Sequence, residues 1–199
     1  MGKRGEWEEF KRVLEQHKIT KLYHFTDRDN LESIIRSGGL ISWKDCERQC
    51  IAIPKPGGGG AGSVSWSLDE RAGLGEFVRL CFTPHHPMMY TAMSEGRISN
   101  PVVLEIDPAV IFEETTKFAD RNATRKDALS GSGIDDFKRI HFDTVKANKH
   151  FDLDVDEQPF FQAEVMVKHK IPLKYILNIG NFGIPVPNEP QHLQSKNAY

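Results

Sequence analysis

Strand-like apolar runs crowd the second half of the chain, and no regular series of helical segments separates them. They cover 77–83, 101–106, 160–168 and 175–179, and a long polar stretch at 117–150 interrupts them. A regular βαβ alternation, which builds a parallel sheet, does not fit this order. The chain has 199 residues, of which 39% are hydrophobic, enough to bury one core. The sequence therefore predicts a single α+β domain over 1–199.

The start of the chain predicts a helix, a strand and a second helix in close succession. Apolar residues from Trp7 to Leu14 recur at helical spacing, as in an amphipathic helix that packs on a core. Residues 19–26 predict a strand, and 31–35 predict the second helix. An aspartate at 27 or 29 can cap that helix, and the glycine pair at 38–39 supplies a left-handed end.

Two segments are predicted to lack regular structure. Residues 54–63 read Pro-Lys-Pro-Gly-Gly-Gly-Gly-Ala-Gly-Ser, which predicts a flexible Gly-rich loop, either a flap beside a site or a linker. A phosphate-binding P-loop is not supported, because no Gly-Lys-Ser/Thr follows the glycines. Residues 185–199 are predicted to form an exposed tail.

Charge and hydropathy exclude several classes of protein. Lys and Arg number 26 against 28 Asp and Glu, so no bulk electrostatic binding of nucleic acid is expected. The sequence has no run of about 20 apolar residues and no apolar signal-peptide core at its start. We therefore expect no membrane partner. The three cysteines are an odd number and too few for a disulfide framework, so we expect a reducing compartment and a cytoplasmic protein.

A metal site is a weak alternative. The histidine pair 85–86 could combine with Cys46, Cys50 or Cys81, but no Cys-x-x-Cys or His-x-x-x-His spacing supports zinc. The motifs of serine hydrolases, zinc proteases and dinucleotide-binding dehydrogenases are also absent. We therefore predict no metal, and a metal nuclease remains only a distant alternative.

Residues 160–168 contain the most informative carboxylate. In a strand, Gln162 and Glu164 share the face opposite Val165 and Val167. The alternative to a functional site is an exposed polar face shared with Lys168. A similar choice applies to His24, which lies between two aromatic residues and can be either a ligand-binding group or a hydrogen-bonded core residue.

Three segments in this order resemble the DarT-type ADP-ribosyltransferases. They are 22–40, beginning Leu-Tyr-His-Phe-Thr-Asp; 80–90, with Leu-Cys-Phe-Thr-Pro and Pro-Met-Met-Tyr; and 161–165, Phe-Gln-Ala-Glu-Val. Members of that family are toxins that move ADP-ribose from NAD to a nucleobase of single-stranded DNA (ssDNA), often opposed by an antitoxin. The resemblance covers most of 20–180. It implies an ADP-ribosyltransferase fold, in which two small packed sheets hold NAD in a central cleft with helices around them.

The resemblance also implies roles for individual residues. Glu164 would stabilise the positive charge that develops on the ribose as nicotinamide leaves, and Gln162 would orient the acceptor or the ribose. Four residues would contact NAD: His24, Thr26, Asn30 and Tyr90. The role of Tyr90 would be to stack on the nicotinamide ring.

The acceptor side departs from the family pattern. Arg71 is the best match for an arginine that assists the acceptor base, with Arg48 as the second choice and a solvated charge cluster as the alternative. His85 and His86 stand where the family often has arginine and serine, and both are predicted to contact the substrate. This departure leaves RNA open as the acceptor, in place of ssDNA. A module that binds NAD or nucleic acid without turnover is the alternative from a different class. We expect a toxin of a toxin–antitoxin or phage-defence system.

Overall fold

The computed structural model describes residues 5–58 and 64–186 of the chain. Within this part, the α-helices are α1 (Trp7–Gln16), α2 (Leu31–Arg36), α3 (Trp43–Arg48), α4 (Val64–Arg71), α5 (Pro87–Ser94), α6 (Ile134–Lys138) and α7 (Phe142–Val145). The strands are β1 (Leu22–Asp27), β2 (Gly39–Ile41), β3 (Phe77–Cys81), β4 (Pro101–Ile106), β5 (Lys117–Ala119), β6 (Ser130–Gly131), β7 (Glu164–Lys168) and β8 (Lys170–Pro172).

The strands form two antiparallel sheets. The main sheet has six strands in the order β4-β1-β3-β7-β5-β6, and β2 pairs with β8 in the second. Tyr23 is the register partner of Cys81, which in turn pairs with Glu164, so β1, β3 and β7 align at the centre of the main sheet. The predicted α+β class with two sheets is confirmed.

The core lies on one face of the main sheet. Helix α1 places Phe10 against this face, where its ring stacks on Phe118 at a centroid distance of 5.5 Å. Val165 and Val167 of β7 join the same cluster. Met166, on the opposite face of β7, packs in a smaller cluster with residues of β3 and β5. The alternation predicted for β7 is therefore correct, and both of its faces are buried.

The start of the chain folds as predicted. Asp27 accepts a hydrogen bond from the backbone N–H of Asp29, and a short 3-10 turn (Arg28–Asn30) leads into α2. Gly38 has a left-handed φ of +72°. A Cβ atom on Gly39, whose φ is +145°, would lie 2.1 Å from the carbonyl oxygen of Ile171. Only glycine allows β2 and β8 to approach this closely.

Two predicted strands are wrong in part. A 3-10 turn occupies Phe160–Gln162, because Pro159 adopts helical dihedral angles and starts the turn, and β7 begins only at Glu164. Gln162 therefore does not share a strand face with Glu164. The predicted strand at 175–179 is reduced to one bridge, from Ile106 to Ile176, between 3-10 turns at Leu173–Tyr175 and Ile179–Phe182.

The Gly-rich loop is described only in part. Residues 54–58 contain no helix or strand, as predicted, whereas 59–63 lie outside the described residues. Helix α4 follows directly and was not predicted. Of the predicted tail at 185–199, only residues 185 and 186 are described. None of the helices in the described ranges has the length and apolar character needed to cross a bilayer.

Candidate active site

A cleft of about 510 Å³ opens over the centre of the main sheet. Residues of β1, β3 and β7 form its floor, and α3, α4 and the segment 56–58 contribute to its walls. The antiparallel register brings polar side chains from three strands together here. The cleft therefore combines an apolar lining with a few buried polar groups, which is typical of a small-molecule site.

Arg79 and Glu164 form an ion pair on the cleft floor. The Arg79 Nε atom donates to Glu164 Oε2 at 3.0 Å, and Nη2 donates to Oε1 at 2.6 Å and to Oε2 at 2.7 Å. The backbone N–H of Ala123 donates to the same carboxylate at 3.2 Å. Only 5% of Glu164 is exposed. The carboxylate is thus fixed by a planar fork, as in bidentate arginine–carboxylate pairs.

A second carboxylate and an amide complete the shell around Arg79. Its Nη1 atom donates to Asp69 Oδ1 of α4 at 2.5 Å, and Nη2 donates to Asn122 Oδ1 at 3.0 Å. Burial raises the pKa of Glu164 and of Asp69, although Arg79 opposes both shifts. When both acids are ionised, the cluster carries two negative charges against one positive charge. Such a site favours a cation bound nearby.

His24 lies beside this cluster with a defined tautomer. Its Nδ1 atom is 3.0 Å from the carbonyl oxygen of Arg79, which can only accept, so Nδ1 carries the proton. Burial lowers the pKa of His24 and favours the neutral ring. Its Nε2 atom is then an acceptor. His24 thus combines the two predicted alternatives, because it bonds to the backbone of the sheet and also lines the cleft.

Thr26 and Asn30 are both buried and both line the cleft. Asn30 Nδ2 donates to Thr26 Oγ1 at 2.9 Å and to the carbonyl oxygen of Lys55 at 2.7 Å. The backbone N–H of Lys55 donates back to Asn30 Oδ1 at 2.9 Å. The side chain of Asn30 therefore holds the 54–58 segment at the cleft, and its contact with NAD stays a prediction.

The two neighbouring histidines, His85 and His86, lie in different environments. His86 is 4% exposed and lines the cleft, whereas His85 is exposed and lies 3.3 Å from the hydroxyl of Tyr90. Tyr90 is 50% exposed on α5, a helix that was not predicted from the sequence. Neither His85 nor Tyr90 is among the cleft-lining residues. Their contacts with substrate stay predictions that this arrangement does not support.

The predicted acceptor residues also lie apart from the cleft lining. Arg71 is the exposed last residue of α4. Arg48 pairs with Asp45 at 3.0 Å and with Glu76 at 2.8 Å. Gln162 lies in the 3-10 turn before β7, and none of these three residues lines the cleft. Their roles toward the acceptor remain predictions.

Arg79 is the functional candidate that the sequence reasoning missed. It stands in the middle of the apolar run Phe-Val-Arg-Leu-Cys of β3. A charged residue inside such a run requires a buried partner, which was a usable signal. The identity of that partner depends on the pairing of β3 with β7.

Among the residues that the structure describes, the cysteines do not form a cluster with other metal-binding side chains. In the described part of the chain, no group of three or more His, Cys, Asp or Glu residues can hold a metal ion. Cys46 and Cys81 are buried, and burial raises the pKa of their thiols to about 11 and about 12. Cys50 is exposed. Both buried thiols are therefore protonated at neutral pH.

Comparison by sequence identifies one family. The sequence model of the DarT family, described as ssDNA thymidine ADP-ribosyltransferase, matches residues 23–189. A search of curated proteins found no match. The matched range includes every strand of the main sheet except the first residue of β1.

Comparison with solved structures finds the same fold. Thermus sp. 2.9 DarT in complex with NAD+ aligns with a TM-score of 0.59 at 19% identity, covering 82% of this chain and 86% of that chain. The same protein in complex with ADP-ribosylated ssDNA gives 0.57 at 20% identity, covering 80% and 79%. Thermosipho africanus DarTG in complex with ADP-ribose gives 0.57 at 22% identity, covering 79% of this chain and 42% of that one. The predicted ADP-ribosyltransferase fold is confirmed.

Proposed function

The chain belongs to the DarT family of ssDNA thymidine ADP-ribosyltransferases, and on that premise we propose that its cleft transfers ADP-ribose from NAD to a base of ssDNA. The observation that carries this proposal is the buried Glu164 carboxylate, held on the cleft floor by the Arg79 guanidinium. A solved DarT structure of the same fold binds NAD+, and another contains ADP-ribosylated ssDNA.

The reaction places positive charge on the ribose. The bond between ribose C1′ and the nicotinamide nitrogen breaks, and its electron pair leaves with neutral nicotinamide. C1′ becomes cation-like until a nitrogen of the acceptor base bonds to it and releases its proton. Because NAD already carries a cationic leaving group, the site needs to stabilise this charge more than it needs a strong acid.

Glu164 supplies that stabilisation. Its carboxylate can accept a hydrogen bond from a ribose hydroxyl and face the developing cation, an interaction that strengthens in the transition state. The excess negative charge of the Arg79, Asp69 and Glu164 cluster acts in the same direction. The four hydrogen bonds that Glu164 accepts fix its rotamer.

The remaining cleft residues suit NAD binding. The neutral His24 ring presents Nε2 as an acceptor for a ribose hydroxyl, and Thr26 presents a hydroxyl beside it on β1. Asn30 keeps the 54–58 segment against this part of the cleft. These residues would therefore orient NAD so that its C1′ atom faces Glu164.

On the acceptor side, the base must be unpaired to reach C1′. An unpaired base avoids the few kcal/mol of unstacking that a duplex requires, which favours a single strand. The family resemblance assigns assistance of the acceptor base to an arginine, with Arg71 first and Arg48 second. Because a guanidinium stays protonated, its main role would be to stabilise the anion that forms when the base loses its proton. The toxin role, with an antitoxin partner, likewise rests on the resemblance.

The test is the mass of oligonucleotides after incubation with NAD and the purified protein. A thymidine-containing ssDNA should gain one ADP-ribose, and the same sequence without thymidine should not. Duplex DNA should react much less. Modification of RNA but not of ssDNA would contradict the proposed acceptor, and NAD binding without any mass gain would indicate a binding module.

A further inference from the structure

His86 is a cleft-lining residue in a constrained position. It directly follows the turn after β3, is 4% exposed and lines the cleft. Its ring stacks on Phe25 of β1 with a centroid distance of 6.0 Å and an interplanar angle of 20°. The imidazole therefore has little freedom to rotate.

The cap of helix α5 fixes the tautomer of this ring. The backbone N–H of Met88 donates to His86 Nδ1 at 3.3 Å, and Pro87 begins the helix. A backbone N–H can only donate, so Nδ1 has no proton, and in the neutral ring the proton is on Nε2. Burial, helped by the charge of Arg79, lowers the pKa of His86 to about 3. The ring is thus a neutral donor through Nε2 across the physiological pH range.

The Nε2 atom is buried and has no hydrogen-bond partner among the described residues. Buried donors are nearly always paired, because an unpaired one loses its bond to water without replacement. Because His86 lines the cleft, a substrate that enters it can supply the acceptor that this buried donor lacks.

We propose that His86 is a specificity-determining residue whose Nε2–H group donates a hydrogen bond to a carbonyl oxygen of a substrate in the cleft. This inference rests on the proposed function. A neutral N–H donor pairs with a neutral carbonyl oxygen, which can only accept, without bringing a charge into a buried position. Two substrates carry such an oxygen: NAD, in its carboxamide, and the acceptor base, in its ring.

Substitution by asparagine separates this role from helix capping. Asparagine is among the best N-cap residues, so His86→Asn keeps an acceptor for the Met88 N–H but loses the Nε2 donor. His86→Ala loses both groups. We expect His86→Asn to retain the parent melting temperature while its kcat/KM for transfer falls about 5- to 100-fold. His17→Asn, at a histidine remote from the cleft lining, is the control and should match the parent.

Two readouts identify the substrate. If the carboxamide of NAD is the partner, His86→Asn weakens NAD binding in the absence of oligonucleotide. If the base carbonyl is the partner, NAD binding is unchanged and only kcat/KM for the oligonucleotide falls. A purely structural cap predicts that His86→Asn retains parent values for both substrates, and that result would overturn the proposal.

A substrate-side measurement covers the case in which the variant does not fold. Sulfur is a weaker hydrogen-bond acceptor than oxygen. In the parent protein, NAD with a thio-substituted carboxamide should therefore bind less tightly, or an oligonucleotide with a thio-substituted thymine should react more slowly. If neither substitution has an effect, the proposal is wrong. Absence of transfer by the parent itself would instead contradict the proposed function, so the two failures are distinguishable.

Discussion

Replacing Arg79 by lysine is expected to keep the positive charge of the cleft floor while removing its geometry. Arg79 donates through three nitrogen atoms to Glu164, Asp69 and Asn122 at once. A lysine ammonium is a point charge that cannot span these three acceptors. The carboxylate of Glu164 would then lose the planar fork that holds it and retain mainly the N–H of Ala123.

The size of the effect follows from these contacts. Loss of two or three hydrogen bonds to charged groups costs about 2–4 kcal/mol of stability after the lysine charge is counted. Arg79→Ala should cost about 3–5 kcal/mol, because it leaves the buried carboxylate of Glu164 and the partly buried carboxylate of Asp69 without a counter-charge. A misplacement of Glu164 by about 1 Å should lower the transfer rate roughly 100-fold.

The assay compares initial rates of transfer to a thymidine oligonucleotide at saturating NAD, and urea unfolding provides the stability. Arg139→Lys is the matched control, because Arg139 pairs with Asp136 at 2.7 Å away from the cleft lining. The rate is also measured against pH. Arg79 opposes the rise in the pKa of Glu164. Loss of the guanidinium should therefore raise the pKa of Glu164 further and move the acid limb of the pH–rate profile to higher pH. Parent rates and parent stability for Arg79→Lys would refute this reasoning.

Two further outcomes are expected. Asp27→Ala should destabilise the fold by about 2–4 kcal/mol in urea unfolding, because its carboxylate accepts from the N–H groups of Asp29, Ser99 and Asn100; a loss below about 0.5 kcal/mol would contradict this. Its pKa is lowered to about 2, so this stabilisation should be complete above about pH 4 and decline as the pH falls toward 2. If Arg71 assists the acceptor, Arg71→Ala should abolish transfer while NAD still binds, and Arg71→Lys should not restore it; full transfer by Arg71→Ala together with loss in Arg48→Ala would assign the role to Arg48.

Local periodicity explains what could be predicted from the sequence. The alternation of Glu164 and Met166 against Val165 and Val167 gave the correct faces of β7, since side chains alternate along any strand. Likewise, β1 and α2 follow from an apolar run, an aspartate cap and a glycine end. These signals need no knowledge of distant partners.

Long-range pairing explains what could not be predicted. Arg79 becomes a site residue only because β3 pairs with β7, with Cys81 opposite Glu164. Strands β2 and β8 have three residues each and are defined by their pairing alone. The segment 175–179 does not form the predicted strand. Its backbone makes isolated hydrogen bonds to β4, such as the one from the Leu177 N–H to the carbonyl oxygen of Glu105 at 2.7 Å. In each case the tertiary partner, not the local pattern, decides the structure.

Single-turnover transfer by Glu164→Gln is the most decisive measurement. The amide keeps the shape of the side chain but removes the negative charge that faces the ribose. We predict that the variant still folds and binds NAD, while transfer falls at least about 100-fold. Glu105→Gln is the control, because Glu105 is also a strand glutamate paired with a basic residue, Lys21 at 2.7 Å, outside the cleft lining; it should react at the parent rate. Transfer by Glu164→Gln at the parent rate would show that Glu164 is not the catalytic carboxylate.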